Sequence, residues 1–328
     1  METFQDLKKI DLHCHLDGSL SEETIRRLAG NVGVELPGKE ALLEQLQAGE
    51  KCENLERYLG CFKWPLELLH TKENLEEAVK SVLADAAKEN VVYMEIRFAP
   101  LSSVGKGLTC RQVIESAVKG LREGEKLSGV RGNLILCGMR HVPAEENMEI
   151  LREGRAFLGN GVCAADMAGN EAAFPIRGQA AFFEEAKRLG IPFTIHAGEC
   201  GEAGSVRDAI ALGAARIGHG IAAWKDAGLM EQCAKSRIPL EMCPISNLQT
   251  KAVASAEEYP FRKFYDAGLR ITVNTDNRMV SNTTLTKEFQ WLAKHYGITR
   301  EDARELTRNA AEAAFVGEDV KRELLKMV

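Results

Sequence analysis

The sequence predicts an α/β protein, a (β/α)8 TIM barrel with a helical insertion after its first strand. Two patterns along the 328 residues lead to this prediction. Short apolar runs recur with few charges, as expected for strands buried on both faces of a parallel sheet. Stretches with helical spacing of apolar residues separate the runs, which is typical of a barrel or of an open doubly wound sheet. A total of eight runs favours the barrel.

The eight apolar runs are rich in Val, Ile and other strand-forming residues. They lie at residues 10–15, 91–99, 133–140, 161–167, 192–197, 215–219, 239–244 and 269–275. Helical stretches follow at residues 111–127, 178–189 and 206–212, and the last two end at Gly190 and Gly213. Glycine is a common residue at the end of a helix, where a left-handed conformation is needed. No G-x-G-x-x-G follows the first run, which argues against a dinucleotide-binding sheet.

The gap between the first and second runs is unusually long, from about residue 16 to residue 90. It contains helical stretches at residues 21–28, 55–69 and 75–88. A segment that follows a barrel strand lies at the C-terminal mouth, so we expect this insertion to form a lid or a pocket wall. The whole chain, residues 1–328, is predicted to form one barrel domain that includes the insertion.

Composition excludes several classes of protein. The chain is 45% hydrophobic and 27% charged, which is typical of a globular protein. Its net charge of -6, with no basic run, argues against a nucleic-acid groove or a basic membrane-surface helix. No apolar run approaches the ~20 residues that span a bilayer. Nine scattered cysteines without a CxxC, and an N-terminus without the features of a secretion signal, predict a reducing, cytoplasmic location.

Ionisable residues close five of the eight runs. They are His13 with His15, Asp166, His196, His219 and Asp276. In barrels the carboxyl ends of the strands form the active site. His13 and His15 are two residues apart on a strand and therefore point the same way. An isolated HxH pair arises easily by chance, but His196 and Asp276 at other strand ends strengthen it. Three imidazoles and a carboxylate suit Zn²⁺, so the sequence predicts a site for one zinc ion.

Residues near these ligands can supply the remaining chemistry. A catalytic zinc lowers the pKa of its water to about 7. Glu199 follows His196 by three residues and can exchange protons there, while His219 can contact the same water. His141 could reach the mouth but is predicted to be structural, and we expect packing or surface roles for His70 and His295. Glu95 and Arg97 alternate on the second run, where they can pair with each other if both face inward.

Six segments of the chain resemble motifs of the adenosine deaminase family. In order they are residues 11–19 (DLHCHLDGS), 166–171 (DMAGNE), 196–199 (HAGE), 218–220 (GHG), 243–247 (CPISN) and 274–276 (NTD). Their order and spacing match the family from about residue 8 to residue 313. Six ordered motifs are far more specific than any one of them.

The resemblance implies a one-zinc barrel that hydrolyses adenosine and 2'-deoxyadenosine to inosine and 2'-deoxyinosine, releasing ammonia. The zinc ligands that it implies are His13, His15, His196 and Asp276. It further implies that Glu199 donates a proton to purine N1, that His219 orients the hydroxide, and that Asp276 also accepts a proton. The implied substrate-binding residues are His15, Asp17 at the ribose, Gly169 at N3 and Asn277. The expected partner is a small purine nucleoside, without nucleic acid or membrane; the oligomeric state is left open.

Asn277 departs from the family pattern. Well-known members have a second Asp directly after the zinc-binding Asp, in contact with purine N7, whereas this chain has Asp276-Asn277. N7 is an acceptor, so a carboxyl group must be protonated to donate to it, while an Asn amide donates without a bound proton. We therefore expect purine recognition to survive with altered affinity or pH dependence.

Three alternatives remain open from the sequence. The first is a related deaminase of adenine or of a modified adenosine such as an aminodeoxyfutalosine-type nucleoside, with residues 55–69 lining the pocket that separates such relatives. The second is a two-metal amidohydrolase, although its usual bridging Lys is missing between residues 161 and 174, where Asp166 ends the strand. The third is a binding protein without catalysis on the same scaffold.

Overall fold

The structure, a computed structural model, describes residues 3–49, 52, 55–200 and 202–328. Over these residues eight strands alternate with helices. The strands are β1 (Lys9–His15), β2 (Val91–Phe98), β3 (Arg131–Met139), β4 (Val162–Ala168), β5 (Thr194–Ala197), β6 (Arg216–His219), β7 (Leu240–Met242) and β8 (Ile271–Val273).

Fifteen α-helices are found in the same described residues. They are α1 (Glu22–Val32), α2 (Lys39–Leu46), α3 (Leu55–Leu59), α4 (Lys63–Leu68), α5 (Lys72–Ala87), α6 (Cys110–Ser128), α7 (Ala144–Gly154), α8 (Ala180–Arg188), α9 (Ala203–Ala211), α10 (Ala227–Ser236), α11 (Pro244–Gln249), α12 (Phe261–Asp266), α13 (Leu285–Tyr296), α14 (Arg300–Ala313) and α15 (Glu318–Met327). None of these described helices is long and apolar enough to cross a membrane.

The strands form two parallel four-stranded sheets that join into one ring. β1 to β4 pair in order, and β5 to β8 pair in order. Ala165 of β4 bridges to Phe193 just before β5, and Cys14 of β1 bridges to Asp276 just after β8. At the second junction the His15 N–H donates to the Asp276 carbonyl and the Asp276 N–H donates to the His13 carbonyl, both at 2.7 Å. The predicted (β/α)8 barrel is therefore confirmed.

Two predicted strand ends differ from the structure. Asp276 was expected to end the eighth strand but lies three residues beyond β8. Its φ of 58° is left-handed and cannot continue an extended strand, so the chain turns there toward β1. Asp166 was also expected to end its strand, yet it lies inside β4, two residues before Ala168. Its side chain therefore points into the buried interior.

The segment between β1 and β2 contains α1 to α5. The stretch predicted as one helix over residues 55–69 is divided into α3, a 3-10 turn at Gly60–Phe62 and α4. Gly60 has low helix propensity and Pro65 has no backbone N–H, which explains the interruption. Beside this break, Tyr58 and Cys61 pack with Val280 of the loop after β8 in a small apolar cluster. This packing holds part of the insertion against the C-terminal end of the barrel.

Charged side chains form a continuous chain of ion pairs inside the barrel. Arg216 bonds Glu95 and Glu241, each at 2.6 Å. Arg97 in turn bonds Glu241 at 2.8 Å and Asp166 at 2.7 Å. Glu95 and Arg97 thus both face inward, but each pairs across the barrel with another strand rather than with the other. Each charged side chain in this series of ion pairs meets an opposite charge, which makes its burial tolerable.

Candidate metal centre and active site

Four histidines and one aspartate meet at the C-terminal mouth of the barrel. One ligand atom from each of His13, His196, His219 and Asp276 lies within 4.8 Å of the others. The His15 Nε2 atom lies 3.1 Å from His196 Nε2 and 3.4 Å from Asp276 Oδ1. The fold therefore brings together all four predicted metal ligands and also His219. These five residues lie on β1, β5, β6 and the turn after β8.

The donor atoms of His13, His15 and Asp276 have the protonation expected of a metal site. Burial, together with the positive charges of Arg97 and His196, lowers the pKa of His13 to about 4. Burial also lowers the pKa of His15 well below its usual value. Burial opposes ionisation of Asp276, but its bond to His13 and the other nearby imidazoles hold the pKa of Asp276 well below its usual range. The neutral imidazoles of His13 and His15 beside the ionised carboxylate of Asp276 form a donor set for a divalent cation. Burial favours the neutral form of His196, but the negative charge of Asp166 outweighs burial and raises the pKa of that ring, so His196 loses a proton when it binds a metal.

The second nitrogen of each ring decides which nitrogen can bind a metal. His13 Nδ1 lies 2.8 Å from the Glu241 carboxylate, to which it must donate, so His13 Nε2 keeps its lone pair. That Nε2 atom is buried without a hydrogen-bond partner among the described residues. His196 Nδ1 lies 2.9 Å from the Asp166 carboxylate as an ion pair without hydrogen-bond geometry, and the charge of that carboxylate favours a proton on Nδ1, which leaves Nε2 for a metal. An orphaned buried nitrogen aimed at neighbouring ligands fits a metal ion.

His219 has the opposite arrangement. The Asn247 side-chain amide donates to His219 Nδ1 at 3.0 Å, and the Asn247 Oδ1 atom accepts from the Tyr259 hydroxyl at 3.4 Å. Since Nδ1 accepts, the proton of the neutral ring lies on Nε2. His219 therefore presents an N–H donor to the cluster, although its position alone would suit a ligand.

Two of these site residues have a left-handed backbone. The φ angles are 62° at His219 and 58° at Asp276, in a region that disfavours side chains with a Cβ. Such strain persists where surrounding contacts hold it, and it concentrates at functional sites. Ser246 supplies one contact here by donating to Asp276 Oδ2 at 2.5 Å. Ser246 and Asn247 both lie on α11, so this short helix orients the aspartate and the imidazole together.

Glu199 lies at the edge of the cluster. Its Oε2 atom is 3.7 Å from His219 Nε2, and 21% of its side chain is exposed. The Glu171 carboxylate accepts the backbone N–H groups of Gly198, Glu199 and Cys200 at 2.7, 3.0 and 3.0 Å, which holds this loop in place. A cavity of about 210 Å³ opens beside Glu199, toward Thr250 and Lys251. Glu199 thus stands between the cluster and an opening to solvent.

The remaining predicted binding residues have free polar groups or special backbone. Asp17 Oδ1 is buried without a hydrogen-bond partner in the described residues, and burial raises the pKa of this carboxyl to about 6. Gly169 follows β4 with a φ of 107°, which a residue with a Cβ rarely adopts. Asn277 donates from its amide to the Tyr58 hydroxyl at 3.0 Å. His70, His141 and His295 lie outside the described cluster.

Several residues of this site were not predicted from the sequence. Glu241, Asn247 and Ser246 orient the central side chains. Glu171 holds the Glu199 loop, and Tyr58 bonds the Asn277 amide. Asp166 was predicted as a strand end and belongs to the motif at residues 166–171, but its role toward His196 was not predicted. A signal for Asp166 and Glu241 was present, because each is an acidic residue inside an otherwise apolar run. A buried charge of that kind needs a partner inside the fold.

Replacement of Glu241 by Gln is expected to weaken both metal binding and folding. The carboxylate fixes the His13 ring and neutralises Arg97 and Arg216, so Glu241→Gln leaves two buried cations short of a counter-charge. We expect a loss of about 3 kcal/mol in unfolding free energy and of about 10- to 100-fold in metal affinity. Denaturant unfolding and metal-competition titration measure these effects.

The matched control is Glu231→Gln on α10. Glu231 is exposed and pairs with Lys235 one helical turn away, at 2.5 Å. An exposed pair contributes little to stability, so neither quantity should change. Equal behaviour of the two variants would contradict the role of Glu241.

A cluster of metal-binding side chains at the carboxyl ends of the strands of a (β/α)8 barrel is the arrangement of a metal-dependent hydrolase. A family model described as Adenosine deaminase matches residues 8–328. The chain belongs to the adenosine deaminase family. This membership confirms the predicted family and the predicted enzyme class, hydrolases that act on C–N bonds.

Individual relatives agree with this membership. The chain is 43% identical to an adenosine deaminase of Enterococcus faecalis over 321 residues, which cover 98% of this chain and 95% of the relative. The structure of Arabidopsis ADAL complexed with IMP is similar at a TM-score of 0.86 and 26% identity, covering 98% and 96% of the two chains. An amidohydrolase from Burkholderia ambifaria, with bound Zn, is similar at a TM-score of 0.88 and 25% identity, covering 98% and 89%.

Proposed function

We propose that this chain hydrolyses adenosine and 2'-deoxyadenosine to inosine and 2'-deoxyinosine with release of ammonia. The observation that carries the proposal is the set of complementary groups at one mouth: lone pairs on His13 and His196, an N–H on His219 and the carboxyl group of Glu199. Relatives that share 43% of their residues with this chain and are named adenosine deaminase support the choice of substrate.

The metal of this proposal is one Zn²⁺ per chain, held by His13, His15, His196 and Asp276. Three neutral imidazoles and a carboxylate are the ligand types that Zn²⁺ favours in hydrolytic sites. The bound Zn of the similar Burkholderia structure supports this metal. When bound, zinc supplies a water nucleophile at neutral pH. His219 is left out of the ligand set because its proton lies on the nitrogen that faces the cluster.

Three side chains move or hold protons in the proposed reaction. Attack of water at C6 breaks the aromaticity of the purine and loads negative charge on N1, and the Glu199 carboxyl relieves that charge by donating a proton. Asp276 accepts one proton of the water and passes it to the amino group at C6, so that the C6–N bond breaks and this group leaves as ammonia. The remaining hydroxyl proton returns to Glu199 as the C6 carbonyl of the product forms. The His219 N–H, 3.7 Å from Glu199, holds and orients the incoming oxygen by a hydrogen bond.

Four residues position the nucleoside in this proposal. The Gly169 N–H meets N3, and the unpartnered Asp17 oxygen accepts from a ribose hydroxyl. The Asn277 amide donates to N7, which accepts without any proton having to be bound first. His15 is the most exposed of the four ligands, at 15% of its side chain, and contacts the substrate from the edge of the metal site.

The test is the loss of the ultraviolet absorbance of adenosine on incubation with zinc-loaded protein. Parallel reactions use 2'-deoxyadenosine, adenine and aminodeoxyfutalosine at equal concentration. We expect adenosine and 2'-deoxyadenosine to react and the other two to react far more slowly. An inert adenosine together with rapid turnover of adenine or aminodeoxyfutalosine would overturn the proposal in favour of a related deaminase.

Replacement of Asn277 by Leu is expected to raise KM for adenosine about tenfold, because the purine loses a hydrogen bond and N7 is left buried without a donor. Leu has nearly the same size as Asn, so the pocket keeps its volume. Steady-state kinetics with adenosine measure the change, and zinc content measured in parallel excludes loss of the neighbouring ligand Asp276. An unchanged KM would show that Asn277 does not contact the purine.

A further inference from the structure

Tyr58 connects the helical insertion to the centre of the site. It lies on α3, only 3% of its surface is exposed, and its hydroxyl has three polar neighbours. These are Ser246 Oγ at 3.1 Å, Ser281 Oγ at 3.0 Å and Asn277 Nδ2 at 3.0 Å. The mechanism proposed above uses none of the atoms of Tyr58, so its buried phenol needs a separate explanation.

The direction of each hydrogen bond follows from the carboxylate of Asp276. An ionised carboxylate only accepts hydrogen bonds, so the Ser246 hydroxyl must donate its one proton to Asp276 Oδ2. Ser246 Oγ can then only accept a hydrogen bond from the Tyr58 hydroxyl, which donates its single proton to it. The Tyr58 oxygen is left as an acceptor, and it receives the hydroxyl of Ser281 and the amide N–H of Asn277.

The reversed amide orientation breaks this series of bonds. With its oxygen toward Tyr58, Asn277 would require the phenol proton for itself. The oxygens of Ser246 and Tyr58 would then face each other at 3.1 Å with no proton between them. Because an amide has nearly the same shape in either orientation, the hydrogen-bond partner decides which end points where.

The other end of the Asn277 amide fits a space that only glycine leaves open. A Cβ added to Gly18 would lie 1.8 Å from Asn277 Oδ1. That oxygen is buried and has no hydrogen-bond partner among the described residues. With one N–H bound to Tyr58 and the oxygen against Gly18, the second N–H of the amide is available to an acceptor on a ligand.

We propose that Tyr58 is a positioning residue that sets the Asn277 amide with its N–H toward purine N7. A series of hydrogen bonds joins the Asp276 carboxylate through Ser246 and Tyr58 to Asn277, so the metal ligand and the purine contact are oriented together. This inference rests on the proposed function, because N7 is the acceptor that it requires. Since Tyr58 belongs to the insertion, purine recognition also requires α3 to be docked on the barrel.

The first experiment compares adenosine with 7-deazaadenosine, in which a C–H replaces the N7 acceptor. We expect Tyr58→Phe to lower kcat/KM for adenosine about tenfold and to leave kcat/KM for 7-deazaadenosine nearly unchanged. The preference of the wild type for adenosine should therefore disappear in the variant. Phenylalanine retains the packing of the ring with Cys61 and Val280, so the variant removes the hydroxyl group alone.

The second experiment is a double-mutant cycle with Asn277→Ala. If Tyr58 acts through Asn277, Tyr58→Phe should add no further loss in the Asn277→Ala background. The matched control is Tyr93→Phe, which removes another buried phenol that bonds Glu95 at 2.9 Å inside the barrel. We expect this control to leave the ratio of the two nucleosides unchanged. Zinc content and melting temperature are measured for every variant.

Two results would overturn the inference. Equal losses for both nucleosides, or losses that simply add in the cycle, would mean that Tyr58 only stabilises α3. Dissociation constants of inosine and 7-deazainosine, measured by calorimetry, provide the same comparison without turnover. If the wild type fails to deaminate adenosine, the proposed function fails. The dissociation constants of the two inosines, measured for each variant of the double-mutant cycle, then still decide the role of Tyr58. Equal binding of the two inosines by the wild type would remove the N7 contact and the inference with it.

Discussion

Glu199→Gln is expected to lower kcat for adenosine by about 10³-fold while zinc stays bound at one ion per chain. A glutamine amide has the shape of the carboxyl group but no proton that it can give to N1. The backbone of this loop is held by Glu171 through three N–H groups, which the substitution leaves intact. Steady-state kinetics and metal analysis on the same preparation separate the loss of chemistry from the loss of the site.

Glu202→Gln provides the matched control for this prediction. Glu202 is exposed and lies three residues further along the same loop, directly before α9. The substitution Glu202→Gln makes the same side-chain change in the same segment without touching the cluster, so kcat should stay near the wild-type value. Substantial activity of Glu199→Gln would exclude Glu199 as the proton donor.

His13→Ala is expected to remove both the metal and the part of the stability that depends on it. The substitution deletes the orphaned Nε2 and also takes a donor from the buried Glu241 carboxylate. A metal bound at 1,000 times its Kd stabilises a fold by about 4 kcal/mol, and the variant should lose this contribution. Metal analysis and thermal unfolding with and without added zinc test both effects, since zinc should raise the Tm of the wild type but not that of His13→Ala.

His141→Ala is the control for the loss of a histidine as such. His141 is exposed, and its ring lies 6.3 Å from the ring of Phe174, centroid to centroid. Its variant should keep the metal and the zinc-dependent rise in Tm. One zinc ion per chain in His13→Ala would contradict the ligand set proposed here.

Much of the fold was predictable because its signals are local. Each barrel strand is buried on both faces and therefore appears as a continuous apolar run, which is visible without knowledge of its neighbours. The helix α6 is capped by Thr109 through a capping box and by Gly129 at its other end, and the predicted range of residues 111–127 falls within its observed range. The break between α3 and α4 was not predicted although Gly60 and Pro65 are local signals for it. The early end of β8 was not predicted because it depends on the contact of the following turn with β1.

In the candidate site, too, some features depend on local sequence and others on tertiary contacts. The sequence by itself indicated that His13, His15, His196 and His219 reach the mouth, because they lie at or near the carboxyl ends of their strands. Asp276 reaches the mouth only through the turn after β8. The sequence also determined the spacing that lets His13 and His15 share a face. Only the tertiary structure decided the state of each imidazole, since that depends on what the second ring nitrogen contacts.

Those deciding partners lie far away along the chain. His13 meets Glu241 across 228 positions, and Tyr58 meets Asn277 across 219. No local pattern indicates such a pairing, because it arises only when the ring of strands closes and the insertion packs on its mouth. The residue types at the site were thus set by sequence, whereas the direction of every proton at the site was set by packing, which fixes which donor faces which acceptor.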